Sequence, residues 1–330
     1  MNSFGRIFRV HIFGESHGEC VGITIDGCPA GLPLSIDDFS ADIERRKPGA
    51  KGTTPRKEDD IPRIKTGLFN GKTTGAPLTI LFENNNTRSA EYEKQRAVPR
   101  PGHADFVASK KFGGFEDFRG SGHFSGRLTV CLVAGGVVAK KILGNIKINA
   151  SIIEIGGEAD QEKGLQKAFD AKDSVGGIIE CRVNGLPVGL GEPFFDSAES
   201  LIARAVFAIP AVRGIEFGTG FAAAKMFGSQ HNDSIEDSSG KTFTNHAGGI
   251  VGGLTNGNEL VFRIAIKPTS STPKEQETLN TVSGKVETFS VKGRHDLCIA
   301  LRVPVVLEAV TAIVLTDLMM LEQKITRINS

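Results

Sequence analysis

The stretch from Arg100 to Arg127 constrains this chain most. It holds three arginines, two histidines and six glycines in 28 residues and runs directly into a segment of small and apolar residues, Leu128 to Leu143. Glycines at this density predict turns whose backbone approaches a neighbour closely. A helix that follows at once presents unpaired N–H groups and a partial positive charge at its first turn, where Ser125 and Arg127 stand. That combination suits a phosphate or a carboxylate, and His103 and His123 add groups able to move protons near neutral pH. Inside the helix, Gly135 and Gly136 each cost about 1 kcal/mol relative to Ala, so the segment is expected to pack closely against another element.

Hydrophobic periodicity places the remaining elements. Val21, Ile23 and Ile25 alternate as on a strand, as do Leu260, Phe262, Ile264 and Ile266. Further strands are expected over 8–13, 78–82, 148–155 and 176–183, with glycine-broken β structure over 214–226. Ser35 with Asp38 forms a capping box before a helix to about Arg46. Helices are also expected over 104–112 and 158–171, after a cap at Asp196, and from about 305 to 325. Lys47 to Arg63, Glu83 to Pro99 and Ser229 to Asn245 are polar connections, of a length that is usually functional or disordered. Asp26-Gly-Cys-Pro-Ala-Gly-Leu32 is echoed by Asn184-Gly-Leu-Pro-Val-Gly-Leu190, each after a strand and before a capped helix. This suggests an internal duplication. With no shift in composition, the expected fold is one α+β domain spanning 1–330.

Composition excludes several function classes. The net charge of +1 over 330 residues is not that of a polyanion binder. Trp is absent and Tyr92 is the sole tyrosine, which disfavours a base-stacking platform, so no nucleic-acid partner is expected. Cys20, Cys28, Cys131, Cys181 and Cys298 are odd in number without a Cys-x-x-Cys pair, as for reduced thiols in a cytoplasmic protein. No signal peptide opens the chain, and no uninterrupted apolar run approaches a membrane span. No Walker A pattern occurs, nor a Gly-x-Gly-x-x-Gly between strand and helix. Gly14-Glu-Ser-His-Gly18 has the outline of a nucleophile elbow, but a strand follows it where a helix is required.

Arg45, Arg46, Lys51, Arg100, Arg119, Arg127, Lys267 and Arg294 lie in polar or glycine-rich segments. Convergence of several would suit a small, multiply anionic ligand, because the guanidinium fork matches paired oxygens. His17 and His103 have no metal-ligand spacing, and a general acid or base fits them better than zinc. His123, His246 and His295 have similar settings, so chemistry alone leaves the choice among the five open.

Taken together, the motifs resemble the chorismate synthase family. They are Gly14–Pro29, Arg100-Pro-Gly-His-Ala-Asp105, Phe118-Arg-Gly-Ser-Gly-His-Phe-Ser-Gly-Arg127, Asn245–Gly253, Lys267-Pro-Thr-Ser-Ser271 and Gly293-Arg-His-Asp-Leu-Cys298. They follow the family's order over essentially the whole chain. The resemblance implies a layered β-α-β sandwich, with a candidate pseudo-two-fold repeat, and a homotetramer. It also implies a lyase of the shikimate pathway and aromatic amino acid biosynthesis. Such an enzyme eliminates phosphate from 5-enolpyruvylshikimate 3-phosphate to give chorismate and requires reduced FMN. By the same carry-over, His17 protonates or faces the reduced flavin, His103 protonates the departing phosphate, and Asp296 helps relay the proton. Arg45, Arg46, Lys51, Arg100, Arg127 and Arg294 bind anions. His123, Phe124, Ser125, Pro210, Ala211, Gly252, Lys267, Pro268, Thr269, Ser270, Ser271 and Arg294 hold FMN. No metal is expected.

This sequence departs from the family where His123, Phe124, Lys51 and Pro210 stand. Arg, Ser, Arg and Asn respectively are common there. Some members reduce their own FMN with NADPH, but without a dinucleotide motif an external reductant is expected here. The alternatives are a non-catalytic flavin or anion-binding module, which would not need His17, His103 and Asp296, and a flavin reductase.

Overall fold

The computed structural model describes residues 2–54, 59–85, 96–291 and 295–325. Five strands form a first antiparallel sheet: β1 (Ser3–Phe4), β2 (Arg9–Gly14), β3 (Cys20–Asp26), β4 (Arg63–Thr66) and β7 (Leu78–Glu83), in the order β1-β2-β3-β7-β4. A small hairpin of β5 (Leu68–Phe69) and β6 (Lys72–Thr73) lies beside it. The expected alternation sets the register. Ile23 pairs with Ile80 and Val21 with Phe82, and all four side chains are buried on one face. On the other face Thr24 and Thr79 meet through their hydroxyls at 3.1 Å.

The second antiparallel sheet has the order β10-β13-β9-β8, from β8 (Lys147–Ile155), β9 (Gly177–Asn184), β10 (Val212–Phe217) and β13 (Leu260–Ile266). Ile264 pairs with Ile179 and Phe262 with Cys181, again all buried. Two hairpins complete the strands: β11–β12 (Ile250–Val251 and Leu254–Thr255) and β14–β15 (Gln276–Leu279 and Val286–Phe289). The two echoing turns make matching hydrogen bonds. Leu32 N–H donates to the Thr73 hydroxyl at 2.9 Å, and that hydroxyl donates to the Pro29 carbonyl. Leu190 N–H donates to the Thr255 hydroxyl at 2.9 Å, and that hydroxyl donates to the Pro187 carbonyl.

The helices are α1 (Ser40–Arg46), α2 (Asp105–Phe112), α3 (Thr129–Leu143), α4 (Gln161–Ala171), α5 (Ala198–Val206) and α6 (Pro304–Leu321). α3 packs along α6; α3 also meets β3 and β7 of the first sheet, and α6 meets β8 and β9 of the second. The glycine pair is where the helices approach. A Cβ built on Gly136 would lie 2.3 Å from Cβ and 2.4 Å from Cα of Ala309, and one on Gly135 would lie 2.8 Å from Cδ1 of Ile23.

Several expectations are corrected. The capping box at Ser35 forms, with its N–H on the Asp38 carboxylate at 2.7 Å, but it opens a 3-10 turn (Ile36–Phe39) before α1. Ser197, not Asp196, caps α5, accepting the Ser200 N–H at 3.2 Å, while the Asp196 carboxylate takes the Arg6 guanidinium. The segment after Phe217 is 3-10 (Gly220–Lys225), because glycine at φ 60° turns the chain out of the sheet. α6 ends at Leu321 and is long and apolar enough, by length and composition, to cross a membrane. It is buried as a core helix, and its two acids are used internally. Glu308 accepts from Arg45 at 2.7 Å and from Lys140 at 2.9 Å. Asp317 accepts the N–H groups of Arg6, Ile7 and Phe8, the shortest at 2.7 Å. All five cysteines are free and four are buried.

The Gly136–Ala309 contact yields a test. Gly136→Ala gains about 1 kcal/mol of helix propensity, but its methyl has to push two helices apart, at a cost of about 1–3 kcal/mol. The expected net result is a lower urea midpoint with an unchanged slope. A raised midpoint would mean that the helix pair yields freely.

Candidate functional site

The glycine-rich turn takes its shape from residues that only small side chains tolerate. Gly120 (φ 57°) and Gly122 (φ 50°) are left-handed, and so is Ser121 between them at φ 71°. A Cβ on Gly120 would lie 2.4 Å from Cδ2 of His17, so this glycine lets the buried imidazole pack against the turn. On the other side of the same turn, the Ser121 hydroxyl accepts from Arg100 at 2.8 Å and sits 3.4 Å from Nε2 of His103.

Asp105, at the first position of α2, organises that cluster. Its two oxygens accept from Nε and a terminal nitrogen of Arg100, each at 2.7 Å, and Nδ1 of His103 lies 2.6 Å from it. Burial alone would raise the Asp105 pKa. The hydrogen bonds from Arg100 and His103 outweigh it and hold the carboxyl well below its usual range. With Nδ1–H on Asp105, the Nε2 edge of His103 faces Ser121.

His103 forms part of the wall of a cavity of about 570 Å³, within the range of small-molecule sites. His123, Phe124 and Ser125 line it from the turn, Pro210 and Ala211 from the loop after α5, and Lys267 through Ser271 from the segment after β13. Leu128, just before α3, and Thr129 and Leu132 of α3 line it too, with Val310 and Ile313 of α6 and with Asn2 to Phe4. Nδ1 of His123 meets the Gly14 carbonyl at 2.9 Å and Nε2 meets Oδ1 of Asn2 at 3.1 Å. Lys267 and the Ser270 hydroxyl both donate to the Gly102 carbonyl, at 2.9 and 2.7 Å. Burial lowers the Lys267 pKa, helped by Arg213. A smaller cavity of about 250 Å³ adjoins, lined by Arg100, Asp117 and Ser121 and sharing His103, Ala104 and Phe124 with the first.

The other candidates lie elsewhere. Arg46 and Arg127 are buried and joined through Asp60, itself buried at φ 50°. Arg46 donates to Asp60 at 3.0 Å, to Thr129 at 2.9 Å and to the carbonyls of Gly126 and Arg127. Arg127 pairs with the other Asp60 oxygen, with Asn84 at 2.9 Å and with the Glu83 carbonyl. Arg45 is bidentate to Glu308, with both contacts at 2.7 Å. Lys51 sits over the Phe169 ring, 5.2 Å from its centroid. Asp296 accepts the Thr54 N–H at 2.9 Å and faces Arg302 at 3.3 Å. His17, Asp296 and Gly252 line neither cavity, and Gly252 sits on the β11–β12 turn. Arg294 lies outside the described residues. Among the described residues no His, Cys, Asp and Glu cluster could hold a metal. The sequence reading missed Asp60, for which an acidic run offers no marker, and Arg204, a cavity-lining residue on α5.

Comparison with known proteins now bears on this site. The family model described as chorismate synthase matches residues 8–320. A chorismate synthase of Chitinophaga pinensis is 71% identical, with 99% of each chain covered. One of Methanocaldococcus jannaschii is 41% identical, covering 97% of this chain and 96% of its own. A solved structure described as the crystal structure of chorismate synthase superposes with a TM-score of 0.74 at 26% identity, over 97% of this chain and 93% of that one.

The Asp105 geometry predicts a pH effect. In the unfolded chain this carboxyl ionises near its ordinary value of about 3.9, and in the folded chain it ionises at lower pH. Its stabilising contribution is therefore complete above the ordinary value and is lost progressively as pH falls below it. Asp105→Asn should flatten the acid-side dependence of unfolding free energy below about pH 4. An identical acid limb in variant and wild type would show that the Arg100–Asp105–His103 cluster contributes no net stability.

Proposed function

The chain belongs to the chorismate synthase family, and from that premise we propose how its site works. It is a carbon–oxygen lyase acting on phosphate; its reaction converts 5-enolpyruvylshikimate 3-phosphate to chorismate. We assign the larger cavity to FMN in its reduced form. The carrying observation is convergence: His123 to Ser125, Pro210–Ala211 and Lys267 to Ser271, three segments distant in sequence, line one cavity beside His103. Its mixture of apolar helix side chains and hydroxyl and amine donors suits a flat aromatic ring with a polar tail. Held by His123 to Ser125, Pro210–Ala211 and Lys267 to Ser271, reduced FMN would supply an electron-rich ring beside the departing phosphate.

The protein's own residues would act as follows. Asp105 holds Nδ1–H of His103 and so orients the imidazole to give its Nε2 proton to the leaving phosphate. Arg100, oriented by the same carboxylate and by Ser271 at 3.1 Å, offers its outer edge to an anion in the adjoining cavity. His17 keeps its assignment to the flavin, reached across the Gly120 turn, and Asp296, with Arg302, its assignment to the proton relay. Arg46 and Arg127 keep the anion role through the turn they hold, and Arg45, Lys51 and Arg294 keep it by the family resemblance. Gly252 keeps its flavin assignment by its motif. Highly exposed Phe194, Phe195, Phe221 and Phe227 support association of copies and hence the homotetramer.

We further propose a single domain, a layered β-α-β sandwich with an internal pseudo-two-fold. The strand orders β2-β3-β7-β4 and β8-β9-β13-β10 and the matched Thr73 and Thr255 hydrogen bonds support the duplication. A continuous buried core across both sheets supports one domain. Cytoplasmic location and an external reductant complete the reading.

The test is an anaerobic assay with 5-enolpyruvylshikimate 3-phosphate and chemically reduced FMN. Chorismate and phosphate should appear in equal amounts and only with reduced flavin. His103→Ala should lower turnover about 10²–10⁴-fold, the range for loss of a general acid. Tight FMN binding without product would refute the lyase reading and favour a binding module.

A further inference from the structure

The arginines that attract attention in the sequence are largely neutralised by carboxylates. Arg45 is bidentate to Glu308, Arg46 and Arg127 share Asp60, Arg100 is bidentate to Asp105, and Arg119 meets Asp117 at 2.8 Å. The lining of the larger cavity is different. Its two non-histidine cations are Lys267 and Arg204. Lys267 gives its ammonium to two neutral acceptors, the Gly102 carbonyl and the Ser270 hydroxyl. Arg204, in the last turn of α5, makes no hydrogen bond or ion pair among the described residues. Its guanidinium stands 5.5 Å from the ring centroid of Phe4, another wall residue. That stacking orients the plane and leaves the N–H edge unspent. Pro210, on the wall nearby in sequence, has no N–H to offer an anion.

We propose that Arg204 is the anion clamp of the larger cavity, its free guanidinium edge taking the phosphate monoester of the molecule bound there. The proposal rests on the reading of this cavity as a site for a phosphorylated ligand. Two such ligands exist in the reaction, the flavin mononucleotide and the substrate, and both carry the same group. An arginine without a carboxylate partner contributes its full charge to that group. A guanidinium already paired contributes mainly orientation.

The experiment compares wild type, Arg204→Ala and Arg204→Lys. It measures binding of FMN and of riboflavin, the same flavin without phosphate, and the KM for 5-enolpyruvylshikimate 3-phosphate at saturating flavin. Loss of a charge-assisted contact should weaken FMN binding about 10–100-fold in Arg204→Ala and leave riboflavin binding unchanged. Arg204→Lys should be intermediate, because charge is kept and the fork is lost. FMN affinity unchanged with KM raised by a similar factor at constant kcat would also support the clamp and assign it to the substrate's phosphate. Equal loss of FMN and riboflavin binding would overturn the proposal, since Arg204 would then act through its packing on Phe4. So would no change in either measurement. Wild-type protein that holds FMN no tighter than riboflavin would refute the cofactor reading; the KM arm would then decide the clamp alone.

Discussion

The fold around the site depends on one carboxylate. Asp60 is 4% exposed and lies between two arginines that are equally buried. Burying a charge costs several kcal/mol unless it is paired and its remaining donors are met. Asp60 supplies the pairing, and carbonyls of Glu83, Gly126 and Arg127 supply much of the rest. These partners belong to the end of α1, the end of β7 and the entry to α3. The glycine-rich turn therefore leaves its loop at a fixed point, Arg127, and enters α3 through a 3-10 turn (Gly126–Leu128) that Ser125 caps at 3.3 Å. Burial and the neighbouring Arg302 pull the Arg46 pKa down. An arginine starts so high that it remains a cation throughout the useful pH range, so the network holds its charge state.

The second constraint is steric, and it reaches the same cavity. α3 and α6 touch backbone to backbone at Gly136 and Ala309. Further along, Thr129 and Leu132 of the one and Val310 and Ile313 of the other form part of the cavity wall. Widening the helix contact would widen the cavity. α6 also carries Asp317, whose carboxylate gathers the N–H groups of Arg6, Ile7 and Phe8. This fixes the end of the β1–β2 connection and, with it, Asn2 and Phe4 on the opposite wall. His123 then finds Asn2 in place at 3.1 Å. Two buried acids on one core helix thus do different work: Glu308 gathers cations and Asp317 gathers backbone.

What could be read from the sequence follows from the range of the forces involved. The strands around Ile23 and Phe262 were legible because alternation is local. The Gly135–Gly136 contact was legible because two helix-weakening residues in an otherwise sound helix need a compensating gain elsewhere. The segments around His123, Pro210 and Lys267 were legible as short motifs, and the fold brings them to one cavity, whereas Gly252 lines neither cavity. The pairing of Arg45, Arg46 and Arg127 was not legible. Their partners Glu308 and Asp60 lie far away or in an undistinguished acidic run, and nothing in residue type separates a saturated arginine from a free one. Arg204 was missed for the converse reason: within α5 it looks like a solvated helix residue, and only the cavity gives it meaning.

A count of arginines therefore cannot locate an anion site, whereas uncompensated charge facing a cavity can. Paired and unpaired cations also serve different ends. Arg100, held by both oxygens of Asp105 and by Ser121 and Ser271, has given up much of its field but cannot turn away from the adjoining cavity. Such a residue selects geometry, and it does so 3.1 Å from His103, the proposed general acid. Arg204 keeps its charge and stands on the wall of the larger cavity beside Phe4, where strength of grip matters more than angle. A site that has to hold one phosphate firmly and release another needs both kinds of cation. It also needs them apart, since a single cluster of free arginines would retain the leaving phosphate that catalysis has to discharge.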